Sequence, residues 1–194
     1  INSAPEHPDA AIKALQETGI RAQYAYGSAN TSLAKYWFNS AEVIPVDDVR
    51  RIRDTYFSSD DGLLTMGLAT RGPGFCQDDV VRTEWGMARD LGIPITVHVA
   101  MGRLAGRFAM VEQLDRMGLL GPDTTYIHSC YFSEHEWQRV ADTGGTISVA
   151  PNFAFDLTAR RTTDDELAGL DLSGVIGIIN GAERIHPSTL VRFN

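Results

Sequence analysis

Pro94–Met101 reads P-I-T-V-H-V-A-M. It is a short, apolar, β-branched run of the kind that forms a strand buried on both faces of a parallel sheet. One polar residue, His98, interrupts it near its C-terminal end. Thirty residues on, Thr124–Cys130 (T-T-Y-I-H-S-C) repeats the arrangement with His128 in the corresponding place. Two buried-type strands that each deliver a histidine at the C-terminal end are the strongest functional signal in the chain. In parallel α/β proteins that end of the sheet is where ligands bind.

On either side of these runs, the chain alternates between strand-like and helix-like patterns. Asp9–Thr18 places Ala11, Ile12 and Leu15 on one helical face and stops at Gly19. Ile20–Tyr26 reads as a strand, and 28–46 as a long loop carrying Tyr36, Trp37 and Phe38. Those three rings suit a cover over a hydrophobic surface better than a stacking platform. Asp47 or Asp48 is placed to cap a helix through Arg50–Tyr56. Leu63–Thr70 is a strand closed by an R-G-P-G turn, and a helix runs from Asp78 to Leu91 before Gly92.

Glu112–Met117 belongs to the next helix, which ends at Gly118. Ser133 and Glu136 form a capping box that opens a helix to Asp142. Gly145–Pro151 and Gly174–Gly181 are the last strand-like runs, with a second capping box at Thr163–Glu166 between them. Regular β-α alternation without hairpin turns implies a parallel sheet with right-handed crossovers.

Composition narrows the function classes. A net charge of −8 with no Lys/Arg cluster argues against a nucleic-acid surface. No run approaches the roughly 18 apolar residues of a membrane span. Cys76 and Cys130 are too few and too isolated for a disulfide framework, so the expectation is a soluble chain in the reducing cytoplasm. An open doubly wound sheet and a (β/α)8 barrel both fit the alternation. Gly27-Ser28-Ala29-Asn30 is not a phosphate loop, and neither a G-x-G-x-x-G nor a Walker pattern occurs.

Four blocks add a resemblance: G-L-A-T-R-G-P-G-F at 67–75, P-I-T-V-H-V-A-M-G at 94–102, L-G-P-D-T-T-Y-I-H-S-C at 120–130 and G-G-T-I-S-V-A-P at 144–151. In order and spacing they resemble the amidohydrolase superfamily, and most of all its cytosine deaminase and triazine hydrolase branch. The likeness runs over about residues 5–151 and is weak beyond. It implies an α/β fold, a partial (β/α)8 TIM-type barrel. The first two strands and a flanking small β domain would be missing from a single domain of 1–194. Ile20–Tyr26 would be strand 3 and Gly174–Gly181 strand 8.

The resemblance also implies a function. His98 matches a ligand of a divalent metal, zinc or iron, and His128 matches a residue that binds the metal or contacts the attacking water. The implied reaction is hydrolysis of a non-peptide C–N bond of a heterocycle or cyclic amide, with deamination of a small heterocyclic substrate as one case. The departures are specific. The chain has no H-x-H pair, Met101 stands where the branch carries a proton-shuttling acid, and Asn180 lies where a strand-8 aspartate is expected. A catalytic zinc normally has three protein ligands, and two histidines fall short. The chain alone is therefore expected to be inactive. The alternative is a truncated, non-catalytic barrel fragment acting by binding or assembly, and open sheet edges would favour a homo-oligomer. Cys130 reads as packing, and His7, His135 and His186 as surface residues.

Overall fold

The computed structural model describes residues 6–28 and 40–149. In chain order the elements are α1 (His7–Thr18), β1 (Ala22–Gly27), α2 (Val46–Tyr56), β2 (Leu64–Thr70), α3 (Asp78–Asp90) and β3 (Ile95–Val99). They continue with α4 (Arg103–Gly106), α5 (Met110–Arg116), β4 (Thr124–His128), α6 (Glu134–Asp142) and β5 (Thr146–Ser148). The expected run at 174–181, the capping box at 163–166, the aromatic trio at 36–38, Asn180 and His186 lie outside the described residues.

All pairings are parallel, and the strand order is β1-β2-β3-β4-β5. A doubly wound sheet reverses its strand order at a switch point. Among the described residues this sheet never does. Each strand lies beside its sequence neighbours, as in an arc of a (β/α)8 barrel, so the strand order separates two architectures that periodicity left open. No helix among the described residues is long and apolar enough to cross a membrane.

The core lies between the sheet and its helices. β3 buries Ile95, Val97 and Val99 almost completely. On its other face Thr96 is half-buried and His98 exposed, so β3 alternates where the sequence read as a strand buried on both faces. Among the described residues the successive right-handed crossovers put the helices on one side of the sheet, and β-branched residues suit a half-buried pleat as well as a fully buried one. α3 faces the sheet with Val80, Val81, Trp85 and Ala88 buried on one stripe. Complete burial of side chains of this size contributes about 1.5–3 kcal/mol each.

Several helix boundaries follow local chemistry. α1 ends at Gly19 in the left-handed conformation (φ 64°), where glycine avoids a Cβ clash. α6 has the capping box read from sequence: the Glu136 N–H donates to Ser133 Oγ at 3.2 Å, and the Ser133 N–H donates back to the Glu136 carboxylate at 3.0 Å. The other oxygen of that buried carboxylate accepts the Val111 N–H at 3.2 Å, joining the starts of α5 and α6.

The expected cap on α2 is corrected. Pro45 is its N-cap residue, with no side-chain cap, because the helix starts at Val46 and takes both aspartates into its first turn. There Asp48 accepts from Tyr26 Oη at 2.7 Å and Arg51 Nε at 2.6 Å. The same Arg51 pairs with Asp9 of α1 at 2.8 Å, and Arg51 together with Tyr56 holds the Asp9 carboxyl down at about 2. The helix to which Glu112 belongs spans Met110–Arg116, and the short α4 before it carries no periodic pattern that would announce it.

Candidate metal centre

The C-terminal ends of β3 and β4 bring the two sequence-identified histidines together. The His98 and His128 ring centres are 5.0 Å apart, with their planes tilted by 43°. The sheet register pairs Val99 with His128 and His98 with Ile127. Strict alternation would therefore send the His128 side chain to the Val99 side. A left-handed backbone at His128 (φ 77°), continued at Ser129 (φ 54°), breaks that alternation as the strand ends. Ala100, two residues beyond His98, is also left-handed (φ 44°). Such conformations cost on the order of 1–3 kcal/mol each for non-glycine residues and persist where the surroundings impose them.

Burial disfavours the charged form of both rings. Desolvation lowers the His98 pKa even though solvent reaches the ring. Desolvation and then the neighbouring His98 lower that of His128. Neutral imidazoles are the form that binds metals. His128 Nδ1 is buried and has no hydrogen-bond partner among the described residues. An orphaned buried nitrogen with lone-pair or N–H capacity is costly unless something meets it.

These residues fit a shared divalent ion. Nitrogens about 2.0–2.1 Å from a tetrahedral zinc would place two ring centres about 5 Å apart. The described residues hold no group of three or more His, Cys, Asp or Glu able to surround an ion, so the donor set here is the histidine pair. Met101, half-buried, occupies the position three beyond His98 and brings no carboxylate.

The other residues singled out from the sequence fall away from the pair or support it. Cys130 is half-buried, and its thiol donates to the His128 carbonyl at 3.3 Å, bracing the turn that carries the histidine. His7 and His135 are exposed, as expected. Cys76 is buried, and its thiol is pushed up to about 12 by desolvation.

Sequence reasoning missed a buried polar group behind the mouth. Arg71, directly after β2, is buried, and its guanidinium donates to the Glu42 carbonyl. Glu84 of α3 is 1% exposed and accepts the Ile44 N–H at 3.1 Å. Together they strap residues 42–44 onto the rest of the fold. The signal for Glu84 is its place on the apolar stripe of Val80, Val81, Trp85 and Ala88, where a carboxylate must be buried.

No family model matches the chain. Among solved structures, it is similar to an adenosine deaminase from Xanthomonas campestris with bound zinc, at TM-score 0.60 and 18% identity over 75% of this chain. It is similar to the atrazine chlorohydrolase TrzN from Arthrobacter aurescens complexed with zinc, at TM-score 0.63 and 19% identity over 77% of this chain. A guanine deaminase from C. acetobutylicum with guanine in its active site aligns at TM-score 0.63 and 15% identity, again over 77%. The chain spans 34%, 36% and 38% of those chains, respectively. At these identities the likeness is one of fold: the α/β arrangement matches an arc of the barrel of these deaminases and triazine hydrolases.

A different likeness concerns a shorter stretch. Over 56 residues the chain is 55% identical to the long-chain-fatty-acid–AMP ligase FadD26 of Mycobacterium tuberculosis, covering 29% of this chain and 10% of that protein. Over 46 residues it is 63% identical to the putative fatty-acid–CoA ligase FadD21 of the same organism, covering 24% and 8%.

Proposed function

We propose that the chain carries part of the metal site of a hydrolase of the amidohydrolase type, acting on a non-peptide C–N bond of a heterocycle or cyclic amide, with deamination the leading case. The supporting observation is the convergence of the His98 and His128 rings at 5.0 Å on adjacent strand ends. His98 and His128 would hold a divalent ion, zinc before iron. When bound, such an ion polarises a carbonyl or imine and brings the pKa of a coordinated water to about 7. The chain's own part is to present two neutral imidazoles from rigid strand ends, with the left-handed turn at 128 fixing the second ring against the first. Tested by equilibrium dialysis at pH 7.5, one weakly held zinc per chain is expected. It should be lost in both His98→Ala and His128→Ala, and in the wild type as acidification protonates the pair. Stoichiometric zinc surviving in His98→Ala would refute the assignment.

A second reading is favoured by the ligase likeness. The likeness to solved hydrolases covers 75–80% of the chain and that to ligases 24–29%, shares that two separate stretches of one chain could supply. The hydrolase-like blocks end at 151. We infer that the ligase-like stretch is the C-terminal one and that the chain joins segments of two descents. On this reading the barrel arc works, if at all, by binding. Deleting residues 150–194 should then leave zinc affinity and the cooperative unfolding of the arc unchanged. Loss of cooperative unfolding on deletion would refute the composite origin.

A further inference from the structure

Between the loops that follow β3 and β4 lies a cavity of about 360 Å³, lined by Arg103, Gly106, Arg107 and Tyr131. That volume lies at the lower end of the range for small-molecule sites, about 300–1,000 Å³. The cavity is at the same end of the sheet as the histidine pair. Tyr131 is three residues beyond His128, so their Cα atoms are at most about 11 Å apart. Arg103 opens α4 four residues beyond the end of β3.

We propose that this cavity is a subsite for an anionic group, a carboxylate or a phosphate, on the substrate of the metal site. The inference rests on the hydrolase reading above. Charge is the first argument. Arg103 and Arg107 stand four apart on one face, exposed, and neither has a carboxylate partner among the described residues. Like charges at that spacing destabilise a helix. Among the described arginines Arg51, Arg53, Arg89 and Arg139 pair with acids and Arg21, Arg50, Arg82 and Arg116 do not, so what marks Arg103 and Arg107 is that both line one concavity. Two guanidiniums left unpaired around one concavity suit planar, bidentate capture of an oxyanion.

Shape is the second argument. A Cβ on Gly106 would lie 2.8 Å from Tyr131 Cβ and 2.9 Å from the Tyr131 carbonyl oxygen. Only glycine lets α4 close against the loop after His128 at that distance. The contact ties the two arginines to the segment that carries the metal-site histidine. Tyr131 completes the lining. An anion seated there would anchor one end of a molecule whose reacting bond reaches the histidines.

The test is amide-detected NMR of the full chain titrated with inorganic phosphate and, separately, with acetate. Arg103→Gln, Arg107→Gln, the double variant, Gly106→Ala and a control, Arg50→Gln, are run alongside. Shifts should centre on residues 102–108 and 130–132, and binding should weaken as salt rises from about 50 to 200 mM. Each single arginine variant should weaken binding about ten-fold, as expected for loss of one charge-assisted bidentate contact. The double variant and Gly106→Ala should abolish it, and Arg50→Gln should leave it unchanged. A phosphate preference points to a phosphorylated substrate, and an acetate preference to a carboxylate. Shifts that persist in the double variant, or that follow Arg50 equally, overturn the subsite. Zinc binding, measured without phosphate, separates the two readings: zinc binding without anion binding overturns the subsite, whereas anion binding without zinc binding overturns its role in the hydrolase.

Discussion

Glu84→Gln isolates the cost of an acid buried behind the sheet. Desolvation raises the Glu84 carboxyl from its usual 4.5 to about 7, against smaller opposing effects from the Ile44 N–H and Arg71. A group whose folded pKa is raised contributes stability that is fully present below 4.5 and lost as pH rises through 7. At 1.36 kcal/mol per unit, the wild type loses about 2.5 kcal/mol of this contribution between pH 5 and pH 8. Glutamine keeps the acceptor for Ile44 and cannot ionise, so the variant lacks that loss. The histidine pair has depressed pKa values and acts in the opposite sense, its contribution fading as pH falls below 6.5. Because both proteins carry the pair, it cancels in the comparison. Urea unfolding of the two proteins at pH 5, 6, 7 and 8 should show the stability of Glu84→Gln relative to wild type rising by about 2.5 kcal/mol across the series. A relative stability constant across it would refute the reasoning and mean that water or Arg71 solvates the carboxylate in the fold.

Two further substitutions test the frame that positions the site. Ser133→Ala removes the oxygen that accepts the Glu136 N–H at 3.2 Å and should cost about 1 kcal/mol in urea unfolding, with no change in slope. Gly145→Ala places a Cβ 2.6 Å from Tyr126 Cε2 and 3.2 Å from Val140 Cγ1, both in fully packed surroundings. It should cost about 1–3 kcal/mol, read as a lower urea midpoint, and a variant as stable as the wild type would show that β5 yields at its start.

Short-range physics makes part of this protein legible from its residues. Apolar runs of strand length and helical stripes between them set the α/β alternation. Glycines at 19, 92 and 118 stop helices in the left-handed conformation that only their missing Cβ makes cheap. The Ser133–Glu136 box follows from four consecutive residues. His98 and His128 stand out because a polar side chain near the end of an apolar run is legible without knowing its neighbours. Other features exist only in the folded chain. Strand order separates a barrel arc from a doubly wound sheet, since alternation is the same in both. The meeting of the two imidazoles depends on a left-handed backbone at His128, which a periodic pattern does not announce. Burial of Glu84 against Ile44 joins residues 40 positions apart. The arginine-lined cavity takes its lining from two loops, where Gly106 meets Tyr131. Each of these depends on contacts distant in sequence, which local propensity does not specify and the packing of the whole sheet does.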